Sequence, residues 1–374
     1  MRVAVLTNCL PTYRVPLFTH LNERVQNLRI FLSARIVPDR DWHMHWGDLD
    51  VTVNRTFRWV RHFHNVHGFV DQFAFDVPYD TVWTLWRFRP HVVISSEFGM
   101  RTLFAAVYKL IFPRTKLIIW ATLSEHTEAT RSKRREFVRR CLLHFADGVF
   151  VNGASGKRYI QSLGFHDGPI SAVPYTVDNQ AFQGPSTRNG AEPLKLLFTG
   201  QLVERKGLYP FLTQLALWCE NNSTRSVMLS IVGKGPELNR LQSIGLPSNL
   251  KLTFEGVASF EQLPSHYHGA DIYVFPTLAD EWGVVVNEAL NAGLPILGSR
   301  YSQAVEELVK EGVNGWLFTP SDTQDIYAAI DRSLQTDSAS RDSMRKHAIA
   351  ALAELTPEAM ADVMANTIRR ITNK

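Results

Sequence analysis

Short runs of Val, Ile, Leu and Phe alternate along this chain with longer stretches in which apolar residues return every third or fourth position. Runs that are apolar on both faces suit strands buried in a parallel sheet, and the 3.6-residue period suits helices packed over it. In the first half the pattern predicts strands at Val3–Thr7, Leu28–Phe31, His91–Ser95, Lys116–Trp120 and Gly148–Val151, with helices near 16–26, 101–111, 131–145 and 155–163. Such alternation predicts an α/β fold built on a parallel sheet. Residues 37–80 are less periodic, rich in His, Trp and Asp, and read as irregular loops with one or two strands.

After Pro174-Tyr175-Thr176-Val177-Asp178 the stretch from Gln183 to Pro193 is polar, rich in Gly and Pro, and has no apolar period. It reads as an interdomain linker. The alternation then restarts, with strands predicted at Lys195–Thr199, Met228–Val232, Leu250–Glu255, Ile272–Phe275, Pro295–Gly298 and Gly315–Phe318. Two doubly wound domains in tandem follow, 1–178 and 195–374, joined by a linker at 179–194. Residues 340–373 read as two closing helices split at Pro357. Ligands of such sheets lie beyond the carboxyl ends of the strands, so a cleft faced by both domains is expected.

Composition narrows the class. The chain has 374 residues, 45% of them hydrophobic and 20% charged, and chains beyond roughly 250–300 residues divide into separate cores. Cys9, Cys141 and Cys219 are odd in number and far apart, which gives no disulfide framework and no Cys-x-x-Cys metal motif, and a reducing cytoplasm is expected. The first apolar run breaks at Asn8 and Pro11, too short for a signal peptide, and the greasy stretch Leu103 to Phe112 carries Lys109 and stops at Pro113, short of a bilayer span.

Charge divides unevenly. Residues 1–178 hold 23 Lys and Arg against 15 Asp and Glu, whereas residues 179–374 hold 17 against 21, so the halves should meet different ligands. The densest basic run, Arg131 to Arg140, leads into Leu142, Leu143 and Phe145 and reads as a basic amphipathic helix. A helix of this kind either lies on an anionic membrane face or is a solvated surface helix. No zinc finger, RNP motif or isolated recognition helix points to nucleic acid.

Three stretches carry candidate chemistry. The first is Gly200-Gln201-Leu202-Val203-Glu204-Arg205-Lys206-Gly207, a strand-to-helix turn whose Arg205 and Lys206 suit phosphate oxygens. The second is Gly233-Lys234-Gly235-Pro236-Glu237, which begins like Gly-x-Gly-x-x-Gly but has Leu238 in the third place and no P-loop Lys-Ser/Thr, so it reads as a tight turn rather than a dinucleotide fingerprint. In the third, Tyr273 to Pro295, a strand ends at Pro276, Asp280 and Glu281 follow in the loop, and a helix opens near Gly283 with Glu288 inside it. The partial positive charge at a helix N-terminus can stabilise a departing diphosphate, and a carboxylate facing the same mouth suits paired ribose hydroxyls. Asp39-Arg40-Asp41 and Asp48-Leu49-Asp50 are spaced to hold Mg²⁺, but neither follows a buried strand in the nucleotide-binding half, so no metal is assigned.

In order and spacing, Gly200-x5-Lys206-Gly207, Val232-Gly233-Lys234-Gly235-Pro236, Phe254-Glu255-Gly256, Tyr267-x-x-Ala270-Asp271, Asp280-x7-Glu288-Ala289 and Asn314-Gly315 resemble glycosyltransferase family 4. Val173-Pro174-x-x-Val177-Asp178-x-x-x-Phe182 resembles the family's hinge, and Pro11-x-Tyr13-Arg14-Val15-Pro16-Leu17-Phe18 resembles an N-terminal loop of some bacterial members. The resemblance implies a GT-B fold of two Rossmann-like domains, with the donor nucleotide sugar on the second and the acceptor, a glycan or a lipid-linked one, on the first. It implies transfer with retention, without metal or other cofactor, in surface polysaccharide biosynthesis.

By the same resemblance Lys206 and Arg205 would neutralise the diphosphate and Glu288 would hold the ribose. Asp280, Glu281, Trp282, Gly283, Val284 and Val285 would line the sugar and phosphate, with Gly200, Gly233 and Gly235 against the donor. Tyr13, Arg14 and Glu97 would meet the acceptor, and His126 would stand near the reacting hydroxyl. The sequence departs from the family pattern in two places. Asp280 stands where a Glu is usual, with Glu281 next to it, and Gln201 replaces a common Arg. These departures leave open which acid fills the first position. They also keep an inactive glycan-binding protein in play, and a nucleotide-sugar epimerase of the same fold is a second alternative.

Overall fold

The computed structural model describes residues 1–35, 45–64, 70–129, 132–177, 179–184, 187 and 192–373. Its chain divides into two compact units, Met1–Thr176 with Leu355–Lys374, and Val177–Glu354.

The first unit holds strands β1 (Arg2–Thr7), β2 (Asn27–Leu32), β3 (Asp50–Val53), β4 (Thr56–His64), β5 (Val70–Pro78), β6 (Val92–Ser96), β7 (Lys116–Ala121), β8 (Gly148–Val151) and β9 (Ile170–Ala172). Seven of them form a parallel sheet in the order β3-β2-β1-β6-β7-β8-β9, while β4 and β5 pair with each other as an antiparallel ribbon. Strands β6 and β8 are buried along their whole length, which is why they read as apolar runs rather than alternating ones. The order reverses between β1 and β6, and that reversal is where a doubly wound sheet leaves a crevice for a ligand.

The second unit holds β10 (Leu194–Thr199), β11 (Val227–Val232), β12 (Leu250–Gly256), β13 (Ile272–Phe275), β14 (Ile296–Ser299) and β15 (Gly315–Phe318). These form a parallel sheet in the order β12-β11-β10-β13-β14-β15, with its reversal between β10 and β13. Phe198, Ile231, Ile272 and Val274 meet Phe211, Leu212 and Leu215 of the helix Leu208–Asn221 in a buried core.

Three differences from the sequence reading have physical causes. The helix Pro357–Thr372, expected to close the second domain, belongs to the first unit. Its Met364, Ala365, Ile368 and Ile371 pack in one core with Val3, Val5, Phe18 and Leu21, and Arg24 reaches Asp362 at 2.6 Å. Periodicity shows that a helix has an apolar face, not whose core that face covers. The expected linker 179–194 is anchored at its start, because the short helix Asn179–Phe182 buries Phe182 edge-on against Tyr267 at 5.5 Å and Phe260 at 5.7 Å. Where loops with one or two strands were expected, the described residues hold three, β3 in the parallel sheet and β4 with β5 in a nine-pair ribbon, and the helix Thr81–Phe88 follows. Asp39 and Asp41 lie outside the described residues, and Asp50 accepts from Arg29 at 2.6 Å.

Replacing Ile368 with Ala should cost about 2–5 kcal/mol of stability, as cavity-forming core substitutions do. Hydrogen exchange should accelerate in β1 and β2 but not in β10 and β13. Equal acceleration in the second unit would contradict the assignment of this helix to the first.

Candidate active site

At the β10/β13 reversal two loops come together. After Thr199 the chain passes through a 3-10 turn at Glu204–Lys206 and enters its helix at Gly207. Gly207 has φ 65°, and a Cβ there would sit 2.0 Å from the Pro276 carbonyl oxygen, so both backbone conformation and contact require glycine. That approach lets the loops bond to each other. Leu278 N donates to Arg205 O at 2.8 Å, Thr277 Oγ1 donates to the same oxygen at 3.2 Å, and Arg205 Nη1 donates to Ala279 O at 2.9 Å.

Gly200, Gly233 and Gly235 were expected against the donor, and the structure gives them a packing reason. Gly200 N donates to Val232 O and Leu202 N to Lys234 O, each at 2.9 Å. A Cβ on Gly233 would stand 1.8 Å from Gly200 O, and one on Gly235 2.2 Å from Leu202 O. The second glycine turn therefore supports the first from behind.

The charges are not arranged as the sequence reading separated them. Lys206 Nζ lies 2.5 Å from Asp280 Oδ2, and Arg205 Nη1 lies 3.4 Å from the same oxygen, with Lys206 and Asp280 each 14% exposed. Burial alone would raise the Asp280 carboxyl, but the Lys206 and Arg205 charges and the hydrogen bonds around it hold it below its ordinary value. Asp280 is thus ionised and shared between two cations. Glu281, the other candidate, is exposed. Trp282, expected to contact the donor, is 1% exposed and donates its Nε1 to Asn287 Oδ1 at 2.8 Å, so its indole belongs to the core.

Gly283 begins the helix Val284–Asn291, which has no acidic residue in its first turn and no side-chain cap. The first amides of a helix have no partner within it, so Val284 and Val285 present free donors carrying partial positive charge. Lys206 Nζ sits 5.1 Å from the centre of the Phe275 ring, and the edge of that ring faces the Gly283 Cα, which ties the cation to this helix start.

Glu288 is half-buried one turn inside the helix and accepts from Tyr267 Oη at 2.7 Å. Tyr267 Oη and Tyr273 Oη each lie 2.9 Å from Thr199 Oγ1, so a chain of hydroxyls runs from the end of β10 to the carboxylate. Burial raises the Glu288 carboxyl, and the Tyr267 hydrogen bond only partly opposes it. The sequence reading gave Tyr267 no role and did not single out Thr199 or Tyr273. A tyrosine inside an otherwise apolar strand was the available signal, because a buried hydroxyl needs a partner.

In the first unit Tyr13 and Arg14 lie on a 3-10 turn, Thr12–Arg14, beyond β1. The Arg14 guanidinium sits between Trp120 at 4.6 Å and Tyr175 at 4.5 Å, and Tyr13 meets Tyr175 edge-on at 5.8 Å. Glu97, just beyond β6, has φ 62°, a left-handed conformation that a non-glycine residue holds only when its surroundings demand it. Its Oε1 accepts from Thr122 N at 3.1 Å and from Thr122 Oγ1 at 2.5 Å. His126 is half-buried in the short helix Glu125–Glu128 beyond β7, capped by Ser124.

The basic run forms the helix Lys133–Leu143, with Lys133, Arg134, Phe137, Val138 and Arg140 exposed. Arg139 differs from the surface reading, being buried against Glu128 at 2.5 Å. Among the described residues no helix is long and apolar enough to cross a membrane.

Residues 180–351 match the family model described as glycosyl transferases group 1. The chain is 29% identical over 125 residues to sulfoquinovosyl transferase SQD2 of Arabidopsis thaliana, covering 32% of this chain and 23% of that protein. It is 25% identical over 181 residues to the putative colanic acid biosynthesis glycosyltransferase WcaL of Salmonella typhimurium, covering 46% and 43%. The matched stretches therefore span less than half the length of each relative. The solved structure of Anabaena Alr3699/HepE in complex with UDP superposes with a TM-score of 0.74 at 16% identity, over 99% of this chain and 100% of that one. The architecture is GT-B, with two Rossmann-like units.

Replacing Asp280 with Asn should lower stability at pH 7 by about 3 kcal/mol, because a nearly buried lysine loses its counter-charge. Since the Asp280 carboxyl is depressed, its contribution is complete above the ordinary carboxylate value near about 3.9 and fades as pH falls through the folded value. Urea unfolding at pH 7 and pH 2.5 should show the difference between the two proteins large at the first and reduced at the second.

Proposed function

We propose that this protein is a retaining, metal-independent glycosyltransferase of the family 4 type. It moves a hexose from a nucleotide-diphosphate sugar to a glycan or lipid-linked acceptor in surface polysaccharide assembly. The observation that carries the reading is the meeting of Arg205, Lys206, Asp280, the uncapped start of the helix Val284–Asn291, and Glu288 at the carboxyl ends of β10 and β13. The family match over residues 180–351 covers this same stretch.

In this reading the diphosphate lies on the amides of Val284 and Val285, with Arg205 and Lys206 beside it. Lys206 then shares its charge between Asp280 and a phosphate oxygen. The Glu288 carboxylate accepts from the ribose hydroxyls and is itself oriented by Tyr267. The acceptor hydroxyl oxygen bonds to the anomeric carbon on the face the diphosphate leaves. The bond from carbon to phosphate oxygen breaks, its electrons stay on that oxygen, and the oxygen takes the hydroxyl proton. Fixed donors aimed at the departing charge supply the stabilisation, and they need no reorganisation during the step. Asp280, ionised beside the sugar, stabilises positive charge developing on the ring.

The first unit takes the acceptor through Tyr13, Arg14, Glu97 and His126. The exposed Lys133, Arg134 and Arg140, with Phe137 at 67% and Val138 at 51% exposure on the same helix, suit an anionic membrane face. In this reading the enzyme works at the cytoplasmic surface, where lipid-linked acceptors are held.

Lys206→Ala and Glu288→Gln should each lower transfer from a nucleotide sugar at least 100-fold while circular dichroism stays unchanged, and full turnover in both would end the proposal. Donor altered at the sugar without any acceptor would instead indicate an epimerase. Donor binding should weaken as pH falls through the raised Glu288 value, above the ordinary Glu value of about 4.3, and Glu288→Gln should abolish that titration. Sedimentation with phosphatidylserine vesicles should be lost in high salt and in an Arg134→Glu, Arg140→Glu double variant.

A further inference from the structure

Buried arginines in this chain ordinarily have oxygen partners. Arg139, 3% exposed, donates to Glu128 and to Tyr159 Oη, and Arg341, 6% exposed, donates to Thr336 O. Arg14 breaks that pattern. It is 8% exposed, and its guanidinium carbon lies over the Trp120 ring at 4.6 Å and over the Tyr175 ring at 4.5 Å. Its Nε is enclosed without a hydrogen bond, and no carboxylate among the described residues lies within ion-pair distance. Among the described residues the two Nη atoms find no hydrogen-bond partner either, and they are not among the enclosed atoms. Burial opposes the Arg14 charge while Tyr175, Tyr13 and Glu97 favour it through space, and buried donors left unfilled are costly to keep.

The enclosed, unpartnered atoms along this edge of the sheet include Asn54 Oδ1 and the Ser96 hydroxyl, and beside them stand three N–H donors. Trp120 Nε1 and Arg101 Nε are also enclosed without a partner. Arg101, in the first turn of the helix Met100–Ile111, donates Nη1 to Ser33 Oγ at 3.1 Å and has no carboxylate partner among the described residues. All three atoms are donors only, so what completes them must be an acceptor, and two guanidinium groups select a negative one. The one acid at the end of β6, Glu97, directs Oε1 to Thr122 rather than to either arginine. Arg14 follows β1 and Arg101 follows β6, the two strands that flank the sheet's reversal, which is the position where a doubly wound sheet presents its ligand.

We infer that this end of the first sheet is a phosphate site. Its Arg14 guanidinium, pre-oriented between Trp120 and Tyr175, takes a phosphate oxygen pair of the acceptor edge-on, with Arg101 as the second cation. The inference rests on the proposed glycosyl transfer for the identity of the ligand as acceptor, and it narrows that acceptor to a phosphorylated one. The two rings against the guanidinium limit its movement, so the group is recognised by position as well as by charge.

The test is the side-chain ¹⁵N–¹H spectrum of the arginines in the full chain, with UDP present to fill the donor site. The Arg14 signal is identified by its absence from Arg14→Lys. Inorganic phosphate and farnesyl diphosphate should both shift it saturably, and potassium chloride at equal ionic strength should not. At least tenfold tighter binding of farnesyl diphosphate would assign the phosphate to a lipid carrier, and equal binding to a phosphorylated sugar. No shift with either, or a shift with glucuronate alone, overturns the inference. In transfer assays Arg14→Lys and Arg101→Gln should raise the KM for acceptor at least tenfold with donor KM unchanged and melting temperature retained. An unchanged acceptor KM in both would also overturn it. Wild-type protein that shifts with phosphate but transfers no sugar would overturn the glycosyl-transfer reading and leave the phosphate site standing.

Discussion

The contact of Gly207 with the Pro276 carbonyl is the constraint on which the second unit's chemistry depends. Any side chain at position 207 would hold the two loops apart. With the loops in contact, Arg205 can bond to the backbone of residues 278 and 279, and Lys206 can reach Asp280. The cations are therefore held in place by the backbone and the carboxylate before any ligand arrives. Preorganisation of this kind is what lets fixed charges act on a departing group without first rearranging.

A second level of support lies beneath. Phe182, Tyr267, Tyr273 and Phe275 form a succession of ring contacts, from the short helix that opens the second unit to the ring beneath Lys206. The hydroxyls within that succession orient Glu288 through Tyr267 and bond to Thr199 at the end of β10. The acid and the cations are thus fixed to the same pair of neighbouring strands. In the first unit the turn beyond β1 is organised differently: aromatic rings lie against a guanidinium, and no carboxylate among the described residues forms an ion pair with it. The two units offer unlike environments at equivalent points of similar sheets, one an ion cluster in contact and the other a cation held against rings with Glu97 acting on it only through space.

Much of this was legible in the chain. The strands of both parallel sheets were readable because a strand covered on both faces must be apolar throughout, and β13 with its four buried residues is the clearest case. The glycines at 200, 207, 233 and 283 marked sharp turns, and Arg205 and Lys206 stood next to each other in one of them. Less legible was the ribbon of β4 and β5, because it contributes few residues to the parallel sheet's core and leaves Phe57 and Trp59 exposed, so burial did not impose an alternating pattern there. The hydroxyl chain through Thr199 was hidden for another reason, since its members are far apart in sequence and single tyrosines carry no spacing rule.

The sequence by itself determined the alternation of buried strands and amphipathic helices, the division into two sheets, and the identity of the charged turn, because each follows from local period or from residues adjacent along the chain. Only the tertiary structure decided that Pro357–Thr372 covers the first unit's core, that Asp280 bonds to Lys206, that the Trp282 indole packs inward, and that the Arg14 Nε is enclosed without a hydrogen bond. Those outcomes depend on which surfaces meet at a distance along the chain, and burial of a charge or an apolar face is a property of that meeting rather than of the residue.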